Sequence, residues 1–364
     1  MEQKINPDML VLAREFRELT QTELAAKASL SQPKITRLES GLSNDLSAEE
    51  IDRLASALEL PVSFLFQKEE RIGYGSSAYF YRKKAKLTAA DRKRIHAVVN
   101  ILRINMKVLL QSVDIKPKRV LPRLPLEEYG GSPANVAHAL RGYWRLPEGP
   151  ITNLTGIMES AGIIVIVCQF GTRAMDATSL WLAELPPMVF INADLPGDRW
   201  RYTLAHELGH LVMHDGAPYE AMEDEADAFA SEFLVPEAEI KAQFKLRGKL
   251  KLADFAELKP YWKVSMGMLI RQALDLGFIT DIQRRYFYMN LNKNGARATE
   301  EPIPLPREEP SNHKNLMSYY KAEMGYSQED MMNFLGFVRS QDLELHPVSF
   351  AGTPLSRPRL QLIQ

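Results

Sequence analysis

The 364-residue sequence contains a single cysteine, Cys168. No intramolecular disulfide can form, and a zinc knuckle built on cysteines is excluded. A chain without disulfides fits a reducing compartment. Long apolar runs are also missing: the strongest, AGIIVIVC at 161–168, is far short of the roughly 20 residues that cross a bilayer. The opening MEQKINPDML has no apolar core of a secretory signal, so the expectation is a cytoplasmic protein with no membrane partner. Net charge is nearly absent, with 45 Lys and Arg against 46 Asp and Glu. Hydrophobic residues at 45% and charged residues at 25% are ordinary for a globular chain. A secreted disulfide scaffold, a membrane-spanning protein and a wholly disordered chain are set aside. The length predicts two or three domains.

The cancelled charge conceals a pattern. Residues 1–70 hold 8 basic and 13 acidic residues, 71–123 hold 14 and 2, and 124–364 hold 23 and 31. The resulting net charges are −5, +12 and −8. A basic block can strengthen nucleic-acid binding through phosphate contacts. It can equally be a helical connector whose cations pair with the acidic blocks on either side.

Apolar spacing predicts five short helices in the first 66 residues. Leu12, Phe16 and Leu19 share one helix face. Thr20 with Glu23 forms a capping box for the second helix. Ser31 is in place to cap a third over 32–40, which Gly41 ends. Ser47 caps a fourth and Pro61 opens a fifth. A linker over 71–86 and a long helix over 89–112 follow. Strands are predicted at 162–168, 178–184 and 187–192, and helices at 199–214, 222–234 and across 240–285. Four prolines between 302 and 310 predict a loose polyproline-like segment.

Ile35 and Leu38 turn the third helix inward, leaving Gln32, Lys34, Thr36 and Arg37 on its other face. Gln and Arg read base edges, and Lys meets phosphate. The stretch TQTELAAKASLSQPKITRLESG closely resembles the Cro/lambda-repressor (XRE) type of helix-turn-helix, over about 60 residues. It departs at Ser29, where many members have glycine. The resemblance implies a homodimer on a palindromic DNA operator, with Gln32 and Arg37 at bases and Gln21 and Lys34 near phosphate. A helical bundle used only for protein contact is the competing reading, favoured by the acidic balance of 1–70.

His206-Glu207-Leu208-Gly209-His210 is an H-E-x-x-H sequence. Histidines at i and i+4 lie on one helix face and can reach one Zn²⁺, with Glu207 beside them as general base. His214, two turns from His206, cannot join that ion and reads instead as a favourable group at the helix C-terminus. In the next helix Glu223 and Asp227 share a face with Ala226 and Ala230. Glu223 is therefore the third ligand, with Glu225 competing, and Asp227 accepts a ligand N–H. TLAHELGHLVMH followed by ADAFASEFLVP resembles the ImmA/IrrE family of metallopeptidases, over about 130–285. The resemblance implies a zincin-like domain that cleaves a partner repressor. It carries over His206, His210 and Glu223 as metal ligands and Glu207 as general base. An oxyanion-stabilising group is unassigned among Tyr202, Tyr219 and His214.

The expected fold is α+β and mostly helical. Residues 1–70 form a five-helix helix-turn-helix domain, 71–123 a basic linker and helix, 124–290 the zincin-like domain with a small sheet, and 291–364 an extension of unknown role. The expected function is a DNA-binding regulator fused to a zinc endopeptidase acting on a repressor or antitoxin-like protein. The alternative is a non-proteolytic regulator, or an antitoxin whose C-terminal domain binds a toxin.

Overall fold

The computed structural model describes residues 4–73, 87–217, 219–293, 301–347 and 361–362. Arg82, Lys83, Lys84 and Lys86 of the expected linker lie outside these residues. The first five helices are α1 (Pro7–Phe16), α2 (Gln21–Lys27), α3 (Gln32–Glu39), α4 (Ala48–Leu58) and α5 (Val62–Leu65). The Thr20–Glu23 capping box forms as expected, and a second one joins Ser47 and Glu50. Leu19 falls beyond the end of α1, because Glu18 turns left-handed at φ 56°. Ser31 precedes α3 but makes no side-chain cap. Pro33 at the second helical position has no N–H to offer it. Ser29 sits at φ 52°, the left-handed conformation that makes glycine common there.

The basic helix α6 (Ala89–Leu109) is not a solvated connector. Ile95, Val98, Ile101, Leu102, Met106 and Leu109 are all buried, and α6 packs on α1. Its cations meet the acidic neighbours: Arg94 lies 3.2 Å from Glu18, Arg103 3.0 Å from Glu69, and Lys107 2.9 Å from Glu69. Burial of the apolar residues sets the helix in place and leaves these charges to pair locally.

Three strands follow α7 (Pro133–Tyr143) and α8 (Leu154–Ser160): β2 (Ile164–Cys168), β3 (Ala177–Leu180) and β4 (Met188–Asn192). The two-residue β1 (Val113–Asp114) pairs elsewhere, with β5 (Gln361–Leu362). The three strands form a sheet of order β2-β4-β3, in which β4 runs parallel to β2 and antiparallel to β3. Successive side chains point to opposite faces, and both faces are covered. Ile164, Ile166, Met188 and Phe190 join a core made by the first five helices and α6. Val165, Ala177, Val189 and Ile191 join a second core containing α8 and the long helix α9 (Gly197–Met213). Double coverage explains why these strands read as apolar runs and not as alternating patterns.

α9 begins at Gly197, two residues before the expected start at 199. A Cβ at Gly197 would lie 2.1 Å from the Leu305 carbonyl oxygen, so only glycine permits that approach. The Pro-rich segment is accordingly anchored, not loose. Glu301 pairs with Lys259 and accepts from the Met266 and Gly267 N–H groups, while Glu308 accepts from Thr155 N and pairs with Arg201. The helices that follow α9 in the chain are α10 (Met222–Leu234), α11 (Glu237–Arg247), α12 (Leu252–Trp262), α13 (Met266–Asp275) and α14 (Asp281–Lys293).

The C-terminal helices α15 (Asn312–Ala322) and α16 (Gln328–Leu335) return to the first core. Leu316, Met317, Tyr320, Met331 and Leu335 are buried there with Leu10, Leu12 and Leu58. Arg17 grips Asp342 through two hydrogen bonds of 2.7 and 2.6 Å. The cores thus cut across the boundaries expected at residues 70, 123 and 290. Apolar burial joins distant segments, which composition along the chain does not reveal. Leu316→Ala should cost about 2–5 kcal/mol in urea unfolding followed on the whole chain. A change under about 0.5 kcal/mol, the range of surface substitutions, would show that α15 contributes little to this core.

Candidate metal centre and nucleic-acid interface

α9 carries His206 and His210 on the face turned to α10. Gly209, about 60° around the helix from His206, allows the two helices to meet: a Cβ there would stand 2.9 Å from Phe229 and 3.4 Å from the Ala226 Cα. Ala226 and Ala230 are buried at the same crossing. The close approach brings Glu223 to the histidines. Its oxygens lie 3.7 Å from His206 Nε2 and 3.2 Å from His210 Nε2. The two Nε2 atoms are 3.1 Å apart, and one ligand atom from each of the three residues falls within 4.8 Å of the others. Glu225, the competing ligand, points elsewhere, to His214 and Tyr219.

The outer nitrogens are engaged. His206 Nδ1 is 2.8 Å from Asp227 Oδ1, the contact expected of Asp227. His210 Nδ1 is 2.9 Å from His214 Nδ1, whose Nε2 is 3.0 Å from Glu225. Burial on its own would lower the His206 pKa. The Asp227 hydrogen bond and the carboxylates of Glu207, Asp227 and Glu223 outweigh it and raise the value. The pocket therefore favours positive charge. His214 is pushed down to about 4 by burial and by the neighbouring His210, against the pull of Glu225. Of the two roles expected of His214 at the helix end, cation or donor, the lowered pKa disfavours the cation. That place is taken by Arg123, which donates to the carbonyls of Leu211 and His214 and stacks 3.8 Å from the Trp181 ring.

Glu207 is buried, and its Oε2 has no hydrogen-bond partner among the described residues. An unsatisfied buried carboxylate oxygen is costly unless it has a task. With both Nδ1 atoms directed outward, two imidazole lone pairs and a carboxylate converge on one point. A four-coordinate Zn²⁺ with three protein ligands and one open position fits that donor set. Of the three residues considered for an oxyanion, His214 lies behind His210, the Tyr219 hydroxyl binds Glu225, and the Tyr202 hydroxyl is 3.5 Å from the Asp227 carbonyl.

On the N-terminal helices, Gln32, Thr36 and Arg37 are exposed along α3. Gln21 organises the first two. Its Oε1 accepts from Gln32 Nε2 at 3.1 Å and from the Thr36 hydroxyl at 2.9 Å, while its Nε2 donates to Glu39 at 2.8 Å. Glu39 is held in turn by Arg14. Lys34 turns to α4, with both Glu50 oxygens within 2.8 Å, so a phosphate would compete with that carboxylate for it.

Two family models match the chain. One describes a helix-turn-helix and covers residues 12–65. The other is a peptidase family. Residues 158–273 match its IrrE N-terminal-like domain. No curated protein matches the chain. The IrrE-like domain contains the whole cluster, from His206 through Glu207 and His210 to Glu223, and includes Asp227. It also contains β2 to β4, so the sheet that divides the two cores belongs to it. The helix-turn-helix match contains Gln21, Gln32, Lys34, Thr36 and Arg37. Three supports of the centre went unread in the sequence: Gly209 as the contact that seats α10, Arg123 as the cap of α9, and the His214–Glu225 pair. Gly209 and Glu225 were open to inspection in the pattern, whereas Arg123 is distant in sequence and gave no signal.

Gly209→Val in the IrrE-like domain should force α10 away and pull Glu223 from the histidines. Zinc affinity is expected to fall by at least about 10-fold, the loss typical when the support of a metal site is disturbed, as measured by chelator competition. Unchanged affinity would show that the α9–α10 contact does not position Glu223.

Proposed function

We propose that the protein is a DNA-binding regulator carrying a zinc-dependent endopeptidase, with a repressor or antitoxin-like protein as substrate. The observation that carries this reading is the convergence of His206 Nε2, His210 Nε2 and a Glu223 carboxylate oxygen beside the buried, unsatisfied Glu207 Oε2. His206, His210 and Glu223 would hold a zinc ion, which would supply Lewis-acid polarisation of water and of a peptide carbonyl. Glu207 takes the proton of the attacking water and can return it to the leaving amine. Asp227, through His206, holds one imidazole with its Nε2 lone pair turned inward.

The IrrE-like match supports a peptidase-type domain, and the helix-turn-helix match supports DNA as a partner. On a palindromic operator, a homodimer would place α3 of each copy in the major groove. Gln32 and Arg37 then reach bases, Thr36 lies on the same face, and Gln21 lies near phosphate.

Glu207→Gln should leave stoichiometric zinc and the fold intact and abolish cleavage of the partner protein, together with any promoter induction that depends on cleavage. Promoter output equal to wild type in Glu207→Gln, with loss in a His206→Ala/His210→Ala double variant, would favour the non-proteolytic regulator or antitoxin. Separately, Arg37→Ala should weaken operator binding by about 1–3 kcal/mol and relax specificity at one base position. Unchanged affinity and footprint would remove Arg37 from the reading set.

A further inference from the structure

We propose that His214, Glu225 and Tyr219 form a relay that fixes the orientation and tautomer of His210, with His214 and Glu225 as positioning residues for the metal centre. The proposal rests on the zinc reading above. The chain of contacts starts in the core and ends at the surface. His210 Nδ1 meets His214 Nδ1 at 2.9 Å, His214 Nε2 meets Glu225 Oε2 at 3.0 Å, and the Tyr219 hydroxyl donates to the same Oε2 at 2.7 Å. The His210 and His214 side chains are each 1% exposed, Glu225 is 18% exposed, and Tyr219 is 45% exposed as a residue.

The donors and acceptors have one consistent assignment. A carboxylate oxygen can only accept, so His214 Nε2 carries a proton and donates it to Glu225. A metal at His210 Nε2 requires that ring's proton on Nδ1, where it can only donate, so His214 Nδ1 accepts across the 2.9 Å contact and the His210 Nε2 lone pair stays turned toward His206 and Glu223. Any other tautomer of His214 would face His210 Nδ1 with a second N–H and place the His210 proton where a metal must bind. The relay thus selects the metal-binding form of His210 through an intervening imidazole, whereas Asp227 does so for His206 by direct contact at 2.8 Å. The sequence consequence is a third histidine four residues after His210 and a glutamate two residues after Glu223. Neither could reach the ion, and both are spaced to support a residue that does.

The test measures zinc affinity of the full chain by chelator competition in wild type, His214→Leu, His214→Gln and Glu225→Ala, with His210→Ala as reference. Outer partners of ligand histidines are worth about 10–100-fold in affinity, so His214→Leu should weaken zinc by that factor. Glutamine can accept from His210 and donate to position 225, so His214→Gln should recover most of the loss, which a purely volumetric role for His214 would not allow. Glu225→Ala should also weaken zinc, and it decides the matter alone if His214→Leu does not fold. Wild-type affinity in His214→Leu or in Glu225→Ala overturns the relay, as does a Gln variant no better than Leu. If wild type itself binds no stoichiometric zinc, or binds it undiminished in His210→Ala, the zinc reading fails and the relay falls with it.

Discussion

The close crossing of α9 and α10 is the contact on which the centre depends. Its tightness comes from Gly209 on one helix and Ala226 and Ala230 on the other, with Phe229 filling the space a side chain at position 209 would need. Interaxial distance depends on the side chains at the contact, within about 8–10 Å, so larger residues at that crossing would carry Glu223 away from both imidazoles. The small residues do not bind anything. They set the distance across which Glu223 meets His206 and His210, and the hydrogen-bonded carboxylates behind the rings set the direction of the lone pairs.

Behind α9 stands the three-stranded sheet, whose two faces belong to different cores. One face packs with α8 and α9 of the IrrE-like domain, the other with the first five helices, α6 and the C-terminal helices. A packed interior transmits displacement poorly by gradual deformation and well by discrete repacking. The sheet is the element of the IrrE-like match whose side chains enter the same apolar core as the helix-turn-helix. On the far side of α9, residues 301–311 are tied down through Glu301, Arg307 and Glu308, so the helix that holds both histidines is fixed from its first turn.

Much of this was legible in the residues. The capping boxes at Thr20 and Ser47 and the apolar spacing of α1 to α5 are local signals, and local signals survive folding. H-E-x-x-H is similarly local, since a helix alone places residues i and i+4 together. Glu223 was legible because Ala226 and Ala230 marked the face that could approach. Other features were hidden for a common reason. The burial of α6, the return of Leu316 and Tyr320 to the N-terminal core, and the Arg17–Asp342 pair are contacts between segments far apart in sequence, and no periodicity reports a partner. The +12 block left two readings open, phosphate contact or pairing with the acidic neighbours, and described cations on α6 face Glu18 and Glu69; charge counted along the chain does not show who stands opposite. His214 illustrates the finer limit. Its distance from His206 sets it apart from the candidate ligands, but its contact with His210 needs the fold.

One ion is expected among His206, His210 and Glu223. Diffraction from crystals of the zinc-loaded protein, recorded on both sides of the zinc absorption edge, would locate it. One anomalous peak per chain is expected, about 2.0–2.1 Å from both Nε2 atoms and about 2.0–2.2 Å from a Glu223 oxygen, with Glu225 still bound to His214. A peak coordinated by Glu225 or His214, or a zinc-loaded crystal with no peak between α9 and α10, would contradict it.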